Sequence, residues 1–226
     1  GTRGGAITKL FRDTNKAWVE PPPAPTFLKD GSFLFTSERT GWKHLYHYAA
    51  NGTLMGPVTS GEWEARAIEC VDDTEQWVYI NGTKDSHIAS NLYRARIDGS
   101  VIERLTGEPG SHGTDVSAKS GKFVDSWSSR VSPTKVAVRN SDGSVLRTLD
   151  TNPVYSIEKY TFGPSEQFQI TMPDGFLAEA SWVKPVNFDP TKKYPVWFTT
   201  YGGPQAPTIR DAWGGGNAWD QAMANA

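Results

Sequence analysis

The residues best suited to chemistry lie late in the chain, in Lys193-Tyr-Pro-Val-Trp-Phe-Thr-Thr-Tyr-Gly-Gly-Pro204. From Tyr194 to Thr200 the run is almost wholly apolar or β-branched, uncharged and without period-2 alternation. That is the pattern of a strand covered on both faces, as in parallel sheets. It breaks at Tyr201-Gly202-Gly203-Pro204, where two glycines permit φ > 0 and close backbone approach, and a proline bars continuation of the strand. Chemistry in open α/β sheets gathers at the carboxyl ends of strands, and a Gly-rich turn there can build part of an oxyanion hole. The competing reading is a tight strand-to-loop turn with no chemical role.

Other residues offer less. His44 and His47 are three apart in an expected strand, so they point to opposite faces and cannot chelate one metal. His87 and His112 are expected in loops without partnered spacing, and all four histidines read as solvated or structural. Gly214-Gly-Gly-Asn217 precedes an expected helix and could cradle an anion, but it lacks the Lys or the βαβ frame such a loop needs. Asn51-Gly-Thr53 and Asn81-Gly-Thr83 fit the glycosylation pattern, and Asn-Gly equally suits a type I′ turn. The single Cys70 excludes an internal disulfide and a cysteine-based zinc site and reads as a small core residue. No metal and no cofactor is implied.

The elements that must position these residues fall into two kinds. Up to about Tyr155 the sequence is short strand-like runs broken by turn signals. Phe33-Leu-Phe-Thr36 and Leu45-Tyr-His-Tyr48 lead to Asn51-Gly52. Trp77-Val-Tyr-Ile80 and Leu92-Tyr-Arg-Ala-Arg-Ile97 lead to Asp98-Gly99. A weaker copy, Lys122-Phe-Val124 and Lys135-Val-Ala-Val-Arg139, leads to Asp142-Gly143. The Leu-Tyr pairs at 45 and 92 set a spacing of about 47 residues. A period of roughly 40–50 residues with several strands in each unit marks propeller blades, which bury their faces only by stacking on one another. A β-sandwich with coincidental spacing is the alternative. Thr8-Lys-Leu-Phe11 resembles the last strand of a preceding blade, and Pro21-Pro-Pro-Ala-Pro25 is a rigid extended connection.

Beyond Tyr155 the repeat stops. Glu166–Met172, the Pro173-Asp174-Gly175 turn and Phe176–Val183 form a hairpin of another kind, followed by a loop into the apolar run. A helix follows, with Asn217 as N-cap, Asp220 three residues on, and Trp219, Ala222 and Met223 on one face. We therefore expect a mostly β protein. Partial β-propeller blades occupy residues 1–158, and the first strands of an α/β-hydrolase domain occupy residues 159–226. A formal net charge of −2 gives no reason to expect nucleic acid or an anionic membrane as partner. No apolar run approaches the roughly 18 residues of a membrane helix, and the first residues lack the apolar core of a signal peptide.

This order, together with Ser37-Glu-Arg-Thr-Gly-Trp-Lys-His-Leu-Tyr46, Gly61-Glu-Trp-Glu64, Lys192-Lys-Tyr-Pro-Val196 and Tyr201-Gly-Gly-Pro204, resembles the prolyl-oligopeptidase clan of serine peptidases, most closely the dipeptidyl peptidase IV type. The resemblance covers essentially the whole chain but only the middle of such an enzyme. It implies that Tyr201 donates its hydroxyl to the oxyanion of the tetrahedral intermediate, and that Trp18 sits in a loop approaching the substrate pocket. With Trp63 between them, it favours a structural blade-edge role for Glu62 and Glu64 over a pair of acid/base carboxylates on one strand face. No Gly-x-Ser-x-Gly occurs in the chain, so the nucleophile, and with it the Asp and His that follow in chain order, are expected beyond Ala226. The paired glutamates that hold a substrate's amino terminus are expected upstream of Gly1. The implied activity is release of dipeptides from peptide amino termini, after proline, by a homodimeric periplasmic or secreted enzyme with no cofactor. Acylaminoacyl peptidase and oligopeptidase activities remain alternatives within the clan. A non-catalytic propeller that binds peptides or proteins is the alternative outside it, and the gene sequence beyond Ala226 distinguishes the two.

Overall fold

The computed structural model describes residues 5, 7, 9–202, 208–214 and 218–226. Three four-stranded antiparallel meanders follow one another. The first is β1 (Thr26–Phe27), β2 (Phe33–Ser37), β3 (His44–Tyr48) and β4 (Leu54–Pro57). The second is β5 (Ala65–Val71), β6 (Trp77–Gly82), β7 (Asn91–Arg96) and β8 (Ile102–Arg104). The third is β9 (Ser111–Val116), β10 (Phe123–Ser129), β11 (Ser132–Arg139) and β12 (Val145–Asp150). Successive side chains of a strand point to opposite faces, and here both faces of the middle sheet are covered. Val78, Ile80, Tyr93 and Ala95 pack with Leu34 and Leu45 of the first sheet. Tyr79 and Leu92, one residue out of phase, pack with Phe123 of the third. Two-sided burial explains why these strands read as nearly continuous apolar runs, and it makes the sheets stacked blades.

A glycine recurs at each blade contact. Gly52, Gly99 and Gly143 close the turns between third and fourth strands at φ of 84°, 76° and 86°, a region open to glycine at no steric cost. A Cβ at each would also meet main chain ahead of it: Leu10 for Gly52, the Pro57 carbonyl for Gly99 and the Leu105 carbonyl for Gly143. Residues 9–11 form no strand, contrary to the sequence expectation for Thr8–Phe11, and Thr8 itself lies outside the described residues. Leu10 nevertheless stands against Gly52 as Pro57 stands against Gly99. Phe11 stacks on Tyr48 at 4.6 Å and closes the outer aromatic face of the first blade.

The contact at Gly143 gives a direct test. Gly143→Ala should destabilise the protein by roughly 2–4 kcal/mol, combining the cost of φ > 0 with overpacking. Gly175→Ala, at φ 87° with open space around it, should show only the backbone part, about 1 kcal/mol. Urea midpoints at unchanged slope measure the difference.

After the blades come a 3-10 turn at Tyr155–Lys159 and a hairpin, β13 (Ser165–Thr171) with β14 (Leu177–Val183), in continuous register from Ser165↔Val183 to Thr171↔Leu177. The expected buried strand at 194–200 is not formed. Residues 193–202 make no ladder, and Val196, Trp197 and Phe198 are 84%, 74% and 79% exposed. A covered strand needs a hydrogen-bonded neighbour and apolar layers on both sides, and among the described residues none lies against this run.

The short helix α1 covers Ala218–Ala224, with Trp219, Ala222 and Met223 three and four residues apart as expected. Trp219 and Met223 are exposed, and the buried residue is Gln221. Its side-chain amide makes reciprocal bonds with the Gly163 backbone at 2.7 and 3.2 Å, satisfying a main-chain donor and acceptor that no strand reaches. The expected N-cap Asn217 lies outside the described residues. Among the described residues no helix is long and apolar enough to cross a membrane.

Candidate functional site

In a four-stranded meander the first and third turns share one end of the blade. The second turn and the connection to the next blade share the other. The Asp/Asn-Gly turns at 51–52, 98–99 and 142–143 therefore lie at one end. The other carries residues 38–43, 60–64, 83–90, 107–110 and 130–131. This second end meets residues 210–213, which follow Tyr201-Gly-Gly-Pro204 in the chain. The Asp211 amide donates to the Ile88 carbonyl at 2.8 Å, the Arg130 amide donates to Asp211 Oδ1 at 2.9 Å, and the Trp213 amide donates to Ser128 Oγ at 3.0 Å. Gln167 on β13 donates to the Arg210 carbonyl at 3.1 Å. Arg130, at the tip of the β10–β11 hairpin, also reaches Ser165 Oγ through Nε. Burial pulls its guanidinium below the ordinary value, while the Asp220 and Asp211 carboxylates oppose that shift.

Tyr201 is 57% exposed at the end of the ladderless run. Gly202 is described; Gly203 and Pro204 lie outside the described residues. Trp18 is likewise exposed. It borders a small cleft with Asp13, Ser37, Arg39 and Lys43, of about 30 Å³. That volume suits a water molecule or two and no peptide. Ser37 Oγ donates to Asp13 at 2.9 Å there, and the Arg39 guanidinium lies 4.2 Å from the centre of the Tyr46 ring. Tyr201 does not border this cleft, so it does not bring the two sequence-selected residues together.

The remaining candidates resolve into structural groups. His44 is buried, with Nδ1 3.1 Å from Thr59 Oγ1 and Nε2 2.8 Å from the Gly61 carbonyl. His47 points elsewhere, 3.0 Å from Ser32 Oγ, as alternation along β3 requires. Burial lowers the His47 imidazole below its ordinary value, against the pull of Asp30. His87 stacks on Trp42. Glu62 and Glu64 do not share a strand face: both precede β5, in the bend that seats Trp63 in the core. Trp63 Nε1 donates to the Ser60 carbonyl at 2.7 Å, and Glu64 pairs with Arg66. Asn51 is exposed at its turn, whereas Asn81 lies within β6, bonded to Ser90 and to the His112 carbonyl. Cys70 is half-buried; burial, then the neighbouring Glu69, Asp72 and Asp115 carboxylates, push its thiol up to about 11. It is a poor nucleophile for that reason. Among the described residues no three His, Cys, Asp or Glu side chains stand together as a metal site.

His112 is the largest departure from the sequence reading. It lies in β9, not in a loop, and is buried beside Asp125, with Nδ1 2.9 and 3.0 Å from the two carboxylate oxygens. Arg139 Nε donates to Asp125 at 2.7 Å, and its Nη2 donates to Glu108 at 2.6 Å. The Trp127 ring lies parallel to His112 and 5.0 Å from the guanidinium. Four ionisable side chains thus bond one another at the second blade contact. The missed signal was the repeat itself: 47 residues beyond Ala65, where β5 begins, is His112.

A family described as dipeptidyl peptidase IV (DPP IV) N-terminal region matches residues 2–134. Dipeptidyl peptidase 4 of Trichophyton equinum is 29% identical over 211 residues, covering 89% of this chain and 27% of that protein. Dipeptidyl peptidase 4 of Arthroderma otae is 29% identical over 216 residues, again with 89% and 27% covered. The crystal structure of Porphyromonas gingivalis dipeptidyl peptidase 4 superposes with a TM-score of 0.80 at 28% identity, over 89% of this chain and 28% of that one. The chain spans little more than a quarter of the length of these relatives.

Proposed function

This chain belongs to the dipeptidyl peptidase IV N-terminal region family, and from that premise we propose that it is part of a serine exopeptidase that releases dipeptides from peptide amino termini, after proline. The observation that carries the reading is likeness to dipeptidyl peptidase 4 over 89% of the chain, more than the three blades alone account for. Residues 1–158 act in it as propeller blades, and residues 159–226 as the start of the catalytic domain. In this reading Tyr201 supplies one oxyanion donor. A phenol held at a fixed point gives a hydrogen bond to charge that appears only in the transition state, and such donors give large rate effects. Trp18 lies near the peptide's path. The nucleophile and base come from sequence other than these residues, which contain no Gly-x-Ser-x-Gly.

The test uses the protein expressed from its full reading frame. We expect it to hydrolyse a chromogenic Xaa-Pro substrate with a free amino terminus, to spare the N-acetylated form, and to lose activity to a serine-directed phosphonylating reagent. Equal turnover of the acetylated substrate would replace the dipeptidyl reading with an acylaminoacyl or oligopeptidase one. Residues 1–226 alone should give no turnover above background, and activity there would remove the serine mechanism.

A further inference from the structure

Among the described residues the run that carries Tyr201 has no strand partner, so its placement depends on what holds its two sides. On the amino-terminal side the Tyr194 hydroxyl accepts the Asp189 amide at 3.0 Å, and its ring stacks on Phe188 at 5.2 Å. On the carboxyl-terminal side, three separate stretches converge on residues 210–213. Ile88 comes from the second blade, Ser128 and Arg130 from the third, and Gln167 from the hairpin. Asp211 is the centre of this second anchor. Its carboxylate accepts the Arg130 amide while its own amide is taken by Ile88. The first of these bonds is charge-assisted and so among the stronger ones available to a backbone amide.

We propose that Asp211 is a positioning residue, fixing residues 210–213 to the blade end and thereby setting where the Tyr201 hydroxyl stands. This rests on the reading of Tyr201 as an oxyanion donor. The Arg130 side chain supports the anchor from the same hairpin tip, with Nε on Ser165 and its positive charge facing Asp211 and Asp220. Ser165 opens β13, so the hairpin tip holds both ends of the polypeptide path that leads to Tyr201 and away from it. Misplacement of a reacting group by about 1 Å can cost 10²-fold in rate, so an anchor ten residues along the chain can be felt at the hydroxyl.

The experiment is a double-mutant cycle in the full-length protein, paired with amide hydrogen exchange. Asp211→Ala should lower kcat about 10- to 100-fold with little change in KM. Asp211→Asn, which keeps the Oδ1 acceptor, should recover most of that loss. With Tyr201 already replaced by Phe, Asp211→Ala should cost no more than a few-fold further, because residues acting through one group are non-additive. Exchange at the Arg130 and Trp213 amides should speed up in Asp211→Ala while the β10–β11 ladder stays protected. The proposal is overturned if Asp211→Ala lowers kcat by the same factor in both backgrounds, or leaves kcat near wild type while exchange speeds up. Unchanged exchange at both amides overturns the anchor itself. A fully active Tyr201→Phe protein sinks the oxyanion reading instead, and the exchange measurement then decides the anchor independently.

Discussion

Tyr201→Phe in the full-length protein should lower kcat by about 10²–10³-fold, the effect of removing one oxyanion donor, or roughly 3–4 kcal/mol. The ring is retained and more than half of the residue is exposed in this chain, so folding should be unaffected and the thermal melt should superpose on wild type. Because the bond forms as charge develops, kcat and kcat/KM should fall together with KM almost unchanged. A tyrosine that merely packs gives the opposite pattern, a lowered melt or none and normal turnover of the folded fraction. Steady-state kinetics beside the melt separates the two, and activity within a few-fold of wild type would strip Tyr201 of its role.

The blades were legible because their signals are local. Asn51-Gly52, Asp98-Gly99 and Asp142-Gly143 announce tight turns between alternating runs, and the Leu-Tyr pairs at 45 and 92 give the period. The Glu166–Val183 hairpin was legible for the same reason. What stayed hidden depends on distant partners. Ser111–Val116 contains Gly113 and Asp115 and has little strand propensity of its own; it is a strand because β10 pairs with it from Phe123↔Val116 to Ser128↔Ser111. The run 194–200 shows the converse case. Its composition is that of a buried strand, but a ladder is a property of two segments, and none of the described residues supplies the second. Arg130 and Asp211 are 81 residues apart, and no spacing rule joins a hairpin tip to a loop beyond the β13–β14 hairpin. Gln221 is buried against the Gly163 backbone, 58 residues away in sequence, a contact no local pattern announces.

Asp125→Ala should be among the most damaging single changes in the blades, destabilising the protein by about 3–5 kcal/mol. Asp125 is fully buried and accepts from both His112 and Arg139. Truncation leaves Arg139 Nε and His112 Nδ1 buried without their acceptor, and breaking a buried pair from one side costs far more than the pair contributes net. The neighbouring Val124 points to the other face and is 39% exposed, so Val124→Ala should stay within about 1 kcal/mol and serves as the control. Acid should reach the same cluster through its least buried member. Burial by itself would raise the Glu108 carboxyl, but the Arg139 hydrogen bond and charge, aided by His112, hold it below its ordinary value of 4.5. Its folded value therefore lies below its unfolded one. The stabilisation is complete above about pH 4.5 and is lost as the pH falls through the folded value. Unfolding of wild type and Glu108→Gln, followed from about pH 6 to pH 3, should show a stability gap that narrows on acidification. A gap that stays constant or widens would mean that the charge on Glu108 does not stabilise the fold.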